Sequence, residues 1–132
     1  DNKFVAWVLS QLKENTPKIN LTSGEQKRDF IYIDDVVSAF MIALDKRRNL
    51  SQFSEFDVGT GQLVSVRKFV ERMVFHYKKS NPKLQTKLLF GAVAYRKGEA
   101  MSVDVDTTGL NKIGWKSKIK LDEGLNKIIK EQ

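Results

Sequence analysis

Apolar positions along this 132-residue chain recur first at a helical period, then at a strand period, and the switches mark its elements. From residue 3 to 14, Phe4, Val5, Val8, Leu9 and Leu12 fall on one helical stripe that must end before Pro17. Ile19-Asn20-Leu21 reads as a short extended segment, and Ser23-Gly24 as a turn. Arg28 to Ile33 then alternates, with Phe30 and Tyr32 on one side and Ile31 and Ile33 on the other, which predicts a strand. Asp34 is placed to cap the next helix and Asp35 to sit in its first turn, where the helix dipole favours a negative charge. That helix carries Val36, Val37, Phe40, Met41 and Leu44 on one face and runs to Lys46-Arg47-Arg48.

Glu55 to Val58 is a further short strand, stopped by Gly59-Thr60-Gly61. Ser65 caps an amphipathic helix with Val66, Phe69, Val70, Met73, Val74 and Tyr77 inward, broken at Asn81-Pro82. Leu84 to Val93 is extended. Thr107 or Thr108 opens a short helix that stops at Gly114, and a last helix carries Leu121, Leu125, Ile128 and Ile129. The chain reads as one mixed α/β domain over residues 1–132, of α+β character, because helices and short strands mix with no regular βαβ alternation. An isolated doubly wound sheet is not expected. The start at Asp1, with a helical pattern already under way, reads as part of something longer.

Composition narrows the chemistry. Hydrophobic residues make up 41% and charged residues 30%, ordinary for a soluble globular domain. There is no cysteine, which excludes disulfides, thiolate catalysis and zinc–thiolate sites. No apolar run is long enough to span a bilayer and no signal-peptide pattern opens the chain, so the expectation is a cytoplasmic protein without membrane contact. The net charge is +7. A basic module binding nucleic acid or another polyanion is one reading of it, but the basic residues are mostly Lys, scattered, and not interleaved with stacking aromatics. An anionic small ligand fits the sign equally well, and nucleic acid is not the expected partner.

Several motifs fail on inspection. Gly59-Thr60-Gly61 would need a third glycine at position 64 to form a dinucleotide fingerprint, and that residue is Val, so a plain turn is expected. No phosphate loop ending in Gly-Lys-Ser/Thr is present. A proton-transferring Tyr tuned by a Lys four residues later is also missing: Tyr32, Tyr77 and Tyr95 have Val36, Asn81 and Glu99 there. His76 lies mid-helix between Phe75 and Tyr77 and reads as structural or surface rather than catalytic. Asp104 and Asp106 alternate without a third ligand, so no metal site is expected. Two arginines remain, Arg28 and Arg96, either of which suits a phosphate or diphosphate. The plainer readings are a surface ion pair with Asp29 or Glu25 for Arg28, and an exposed loop residue for Arg96.

Taken together, the chain resembles the C-terminal part of an extended short-chain dehydrogenase/reductase of the nucleotide-sugar epimerase/dehydratase group. The resemblance rests on Arg28-Asp29-Phe30-Ile31-Tyr32-Ile33-Asp34-Asp35-Val36, on Phe56 to Gly61, and on Tyr95-Arg96-Lys97-Gly98-Glu99. Asp106, Leu110, Ile113-Gly114-Trp115, Leu121 and Glu123-Gly124-Leu125 follow in the family's order. The string Phe90 to Met101 is similar to a subgroup making deoxysugars for bacterial surface polysaccharides, of the CDP-abequose or CDP-paratose synthase type.

The resemblance implies an NAD(P)-dependent oxidoreductase or epimerase as the intact protein, a homodimer acting on a nucleotide-diphosphate sugar. Its Rossmann half, the cofactor and the Tyr/Lys catalytic pair would lie upstream, so this chain alone would bind no cofactor and be inactive. By the same resemblance Arg28 and Arg96 would contact the diphosphate and Glu99 the ribose. Asn20 and Leu21 would flank the base, with Val66 near the same pocket. Elements resembling the helix after Asp34 and the strand at Phe56 to Val58 lean on the Rossmann sheet in that family, so exposed apolar surface and self-association are expected of the chain alone.

Overall fold

A computed structural model describes residues 3–131. Five α-helices and four short strands form a mixed α/β fold. Helix α1 (Lys3–Lys13) is followed by β1 (Lys18–Leu21), β2 (Lys27–Asp29) and α2 (Ile33–Lys46), which ends in a 3-10 turn, Arg47–Asn49. Then come β3 (Leu63–Ser65), α3 (Val66–Ser80), β4 (Lys87–Phe90), α4 (Thr108–Lys112) and α5 (Leu121–Lys130). The strands make two separate pairs. β1 runs parallel to β4, Lys18 beside Lys87 through Leu21 beside Phe90. β2 runs antiparallel to β3, with Arg28 beside Val64.

The main core joins α1, β1, α3 and α5. Val8, Leu9 and Leu12 meet Ile19 and Leu21 from the strand, Phe69, Val70 and Met73 from α3, and Leu125 and Ile129 from α5. Val8, Val70 and Met73 are fully buried. Each such side chain contributes about 1.5–3 kcal/mol relative to exposure, enough to order an otherwise short helix. Ser65 caps α3 as its sequence position predicts, its Oγ accepting from the Lys68 amide at 3.2 Å.

A smaller core gathers Ala39 of α2, Leu110 of α4 and Trp115, flanked by Ile31, Phe56 and Val58. Its organiser is Asp35, buried in the first turn of α2. The Asp35 carboxylate accepts from the amides of Lys118 (3.0 Å to Oδ2) and Ile119 (2.9 Å). One turn on, Trp115 Nε1 donates to Ser38 Oγ at 2.8 Å. These bonds fasten the 115–119 segment to α2.

Three sequence expectations are corrected. The strand foreseen over 28–33 ends at Asp29, because its partner β3 has only three residues and Phe30 turns inward to stack on Phe69 at 3.8 Å. Asp34 does not cap α2: Tyr32 holds that position without a side-chain cap, and Asp34 faces out to pair with Lys127 Nζ at 3.1 Å. Residues 55–58 form no strand among the described residues, since no neighbouring strand is there to pair with them. The apolar face of α2 is not core either. Val37, Phe40, Met41 and Leu44 are all more than half exposed, as expected of surface awaiting a larger partner.

Candidate diphosphate-binding site

The two strand pairs meet at the connection from β1 to β2. Its middle, Ser23-Gly24-Glu25, turns at Gly24, whose φ of +72° is left-handed. A Cβ there would lie 2.8 Å from the Arg67 backbone nitrogen, so only glycine fits. The first residues of α3 close on this turn: the Arg67 amide donates to Gly24 O at 2.9 Å, and the Val66 amide donates to Gln26 O at 2.9 Å.

The loop after β4 lies on the same turn. The Val93 amide donates to Leu21 O at 3.1 Å, and the Lys27 amide to Met101 O at 2.8 Å. Between these two bonds the loop carries Tyr95, Arg96 and Glu99. The Tyr95 hydroxyl oxygen accepts from Ser23 Oγ and from the Glu25 amide, each at 2.9 Å. The Glu99 amide donates to Arg96 O at 3.0 Å, closing a tight turn around Gly98.

Arg28 and Glu99 meet directly. Arg28 Nη2 donates to Glu99 Oε1 at 2.7 Å while Nη1 donates to Lys27 O at 2.8 Å. Both side chains are about one quarter to one third exposed. The ion pair that sequence reading allowed for Arg28, with Asp29 or Glu25, is therefore made with Glu99 instead. Asp29 is otherwise engaged: it accepts from Thr60 Oγ1 at 2.6 Å and from the Gly61 amide at 2.8 Å. Arg96, three residues before Glu99, is exposed and meets no carboxylate among the described residues.

Of the residues singled out from sequence, Arg28 and Glu99 are in contact. Leu21 is tied through its carbonyl to the loop that carries Arg96, and Val66 through its amide to the residue before Lys27. Asn20 is exposed on β1, next to Leu21. Sequence reading gave no role to the framework: Tyr95 and Asp29 entered as motif residues and Arg67 not at all. Yet Tyr95 and Arg67 hold the turn and the loop together, and Asp29 holds the Gly59-Thr60-Gly61 turn.

That glycine turn does not fit a dinucleotide. The Gly61 amide and the Thr60 hydroxyl, the donors a diphosphate would need there, already serve the Asp29 carboxylate. Asp29 also fills the space above Gly59, where a Cβ would meet its Oδ2 at 2.6 Å.

Two other features stand apart from this site. An open apolar cavity of about 680 Å³ lies between α1, α5 and residues 29–33. On α3, Arg72 holds Asp122 through two bonds of 2.8 and 2.6 Å, and buried His76 adds a third contact through Nε2 at 3.0 Å. His76 is thus structural, as its place in the helix predicted. Arg72, with lesser help from His76, holds the Asp122 carboxyl down to a pKa of about 2. Asp106 faces Thr108 at the start of α4, accepting from its amide and hydroxyl. No group of three metal-ligating side chains occurs among the described residues, and no described helix is long and apolar enough to cross a membrane.

Comparison with known proteins agrees with the fold and the motifs. The family model for the NAD dependent epimerase/dehydratase family matches residues 1–59. A CDP-abequose synthase from Salmonella typhimurium is 32% identical over 98% of this chain and 42% of its own length. A dTDP-4-dehydro-6-deoxyglucose reductase from Escherichia coli is 29% identical over 92% of this chain and 36% of its own length. A crystal structure of UDP-glucose-4-epimerase from Stenotrophomonas maltophila, with bound NAD and formylated UDP-arabinopyranose, superposes with a TM-score of 0.78 at 18% identity. It covers 99% of this chain and 40% of that one. The chain spans about two fifths of the length of the curated relatives it matches.

Proposed function

The chain belongs to the NAD dependent epimerase/dehydratase family, and on that footing we propose that it is the substrate-binding domain, residues 1–132, of an NAD(P)-dependent enzyme acting on a nucleotide-diphosphate sugar. The observation that carries this reading is the Arg28–Glu99 contact, which ties the loop bearing Arg96 to the strand bearing Arg28. Two guanidinium groups from separate stretches then serve one doubly charged linker, which both neutralises and orients it.

In this reading the diphosphate takes the place of Glu99 on Arg28, and the released carboxylate turns to the ribose hydroxyls. Arg96, which meets no carboxylate among the described residues, takes the other phosphate. Backbone at Asn20 and Leu21 flanks the base, with Val66 beside it. NAD or NADP would be held by residues outside these 132, since the Gly59-Thr60-Gly61 turn is closed by Asp29. The likeness to a CDP-abequose synthase and a 4-dehydro-6-deoxyglucose reductase favours reduction of a 4-keto nucleotide sugar for surface-polysaccharide synthesis. The same reading makes the intact enzyme a cytoplasmic homodimer.

Calorimetric titration with CDP tests the site. Arg28→Ala and Arg96→Ala should each weaken binding about tenfold or more, the scale of a lost charge-assisted hydrogen bond. Unchanged affinity in both variants rejects the reading. The isolated 132-residue chain should give no turnover with NAD(P)H and a nucleotide sugar.

A further inference from the structure

We infer that the Tyr95 hydroxyl is a latch that sets where Arg96 stands, and that Arg67 holds the turn on which the latch closes. This rests on the reading of Arg96 as a diphosphate ligand. It makes Tyr95 and Arg67 positioning residues, neither touching the ligand.

The turn is held from both sides by groups far away in the chain. The Arg67 amide takes Gly24 O at 2.9 Å, and Arg67 Nε takes Ser23 O at 3.0 Å. The Arg67 guanidinium lies over the Phe90 ring, 4.1 Å from its centroid, so the last residue of β4 fixes the arginine in turn. On the other side, Ser23 Oγ and the Glu25 amide both donate to the Tyr95 oxygen. Ser23 and Tyr95 are half-buried, so losing that acceptor would leave the Ser23 hydroxyl unpaired in a partly buried place and hand the exposed Glu25 amide to water.

The segment from Tyr95 to Glu99 is therefore pinned at its two ends. Tyr95 grips the 23–25 turn, and Glu99 grips Arg28. Arg96 lies between them with no side-chain partner of its own among the described residues. When a diphosphate draws Arg28 away from Glu99, one pin is released, and between the backbone bonds at Val93 and Met101 the Tyr95 latch is the side-chain contact left to keep Arg96 in place. The latch is needed most when ligand is bound, which separates it from a contact that merely stabilises the fold.

Tyr95→Phe in the full-length protein keeps the ring and removes only the acceptor. CDP affinity should fall about 3- to 10-fold, the scale of one net hydrogen bond, and Glu25 amide hydrogen exchange should accelerate by a similar factor. In an Arg96→Ala background the same substitution should cost no further affinity, because the latch acts through Arg96. Arg67→Ala should weaken CDP binding in the same non-additive way. If Tyr95→Phe leaves CDP affinity unchanged while Arg96→Ala weakens it, the latch is wrong and the site stands. An equal loss in both backgrounds also overturns the latch. If Arg96→Ala has no effect on CDP, the latch falls because Arg96 is no ligand, and the site reading falls with it only when Arg28→Ala is silent as well. Should Tyr95→Phe fail to fold, Ser23→Ala removes one donor of the pair and is read against the same outcomes.

Discussion

Arg28 and Glu99 lie 71 residues apart in sequence and 2.7 Å apart in space. Both are partly open to water, so the pair adds at most about 1 kcal/mol to stability. Its consequence under the proposed function is local: without ligand, the Glu99 carboxylate occupies the guanidinium that a phosphate oxygen would take. Glu99→Gln should therefore raise the affinity for inorganic pyrophosphate by up to about 5-fold, the equivalent of freeing Arg28 from that pair. Affinity for CDP should fall if, as proposed, Glu99 serves the ribose. Titration with both ligands distinguishes the two roles; an unchanged pyrophosphate affinity would show that Glu99 does not compete for Arg28.

Asp29 holds the Gly59-Thr60-Gly61 turn against β2, and the fit leaves no room for a side chain at Gly59. A Cβ would meet both Asp29 Oδ2 and Val105 Cγ1 at 2.6 Å. Gly59→Ala should destabilise the protein by about 1–3 kcal/mol, the usual range for overpacking. Asp29→Ala, which removes the acceptor of the half-buried Thr60 hydroxyl and of the exposed Gly61 amide, should cost about 1 kcal/mol. Urea unfolding measures both. If Gly59→Ala is neutral, the turn is looser than this packing.

Much of this fold follows from local pattern, and the departures have local causes. The Ser65 cap, the inward face of α3 and the extent of α1 follow from periodicity and capping alone. Asp34 and Asp35 look interchangeable in sequence, yet Asp35 is buried on amides of residues 118 and 119 while Asp34 stays outside. No local rule sees that far. The strand at 28–33 failed because pairing length is set by the partner, and Leu63–Ser65 was not read as a strand. At the site, the family's motifs pointed to Arg28, Arg96 and Glu99. Tyr95 stands in one of those motifs without a role of its own and Arg67 in none, because a tyrosine and an arginine that bond a distant turn carry no spacing signature.

The Arg72–Asp122–His76 cluster gives stability a dependence on acid. The folded Asp122 pKa is depressed from 3.8 to about 2, chiefly by Arg72. A depressed carboxyl stabilises the fold above its unfolded pKa and loses that contribution as pH falls through the folded value. The loss should run from about pH 4 down to about pH 2. Since Asp122 is about half exposed, solvent screening limits the effect to about 1 kcal/mol. Asp122→Asn should be less stable than wild type at pH 6 by that amount, and the two curves should converge near pH 2. Parallel curves across this range would mean that Asp122 is not coupled to folding.

Helix α2 carries five exposed large apolar side chains, Ile33, Val37, Phe40, Met41 and Leu44. Phe40 is 69% exposed, with Ile33 and Met41 each at 61%. Single exposed apolar side chains are commonplace, but a contiguous stripe along one helix face marks a surface that is covered when the protein works. On the proposed function the cover is the cofactor-binding half of the same enzyme. The isolated 132-residue chain lacks that half, and hydrophobic burial then favours pairing of these faces between copies. It should self-associate at micromolar concentration, read as a mass above 15.1 kDa by size-exclusion chromatography with light scattering. Phe40→Glu combined with Met41→Lys should restore the monomer without unfolding it, because neither side chain belongs to a buried cluster. In the full-length enzyme the same pair of substitutions should instead weaken the contact between the two halves, lowering the unfolding midpoint. A wild-type chain that runs as a stable monomer would remove the argument that this face needs a partner.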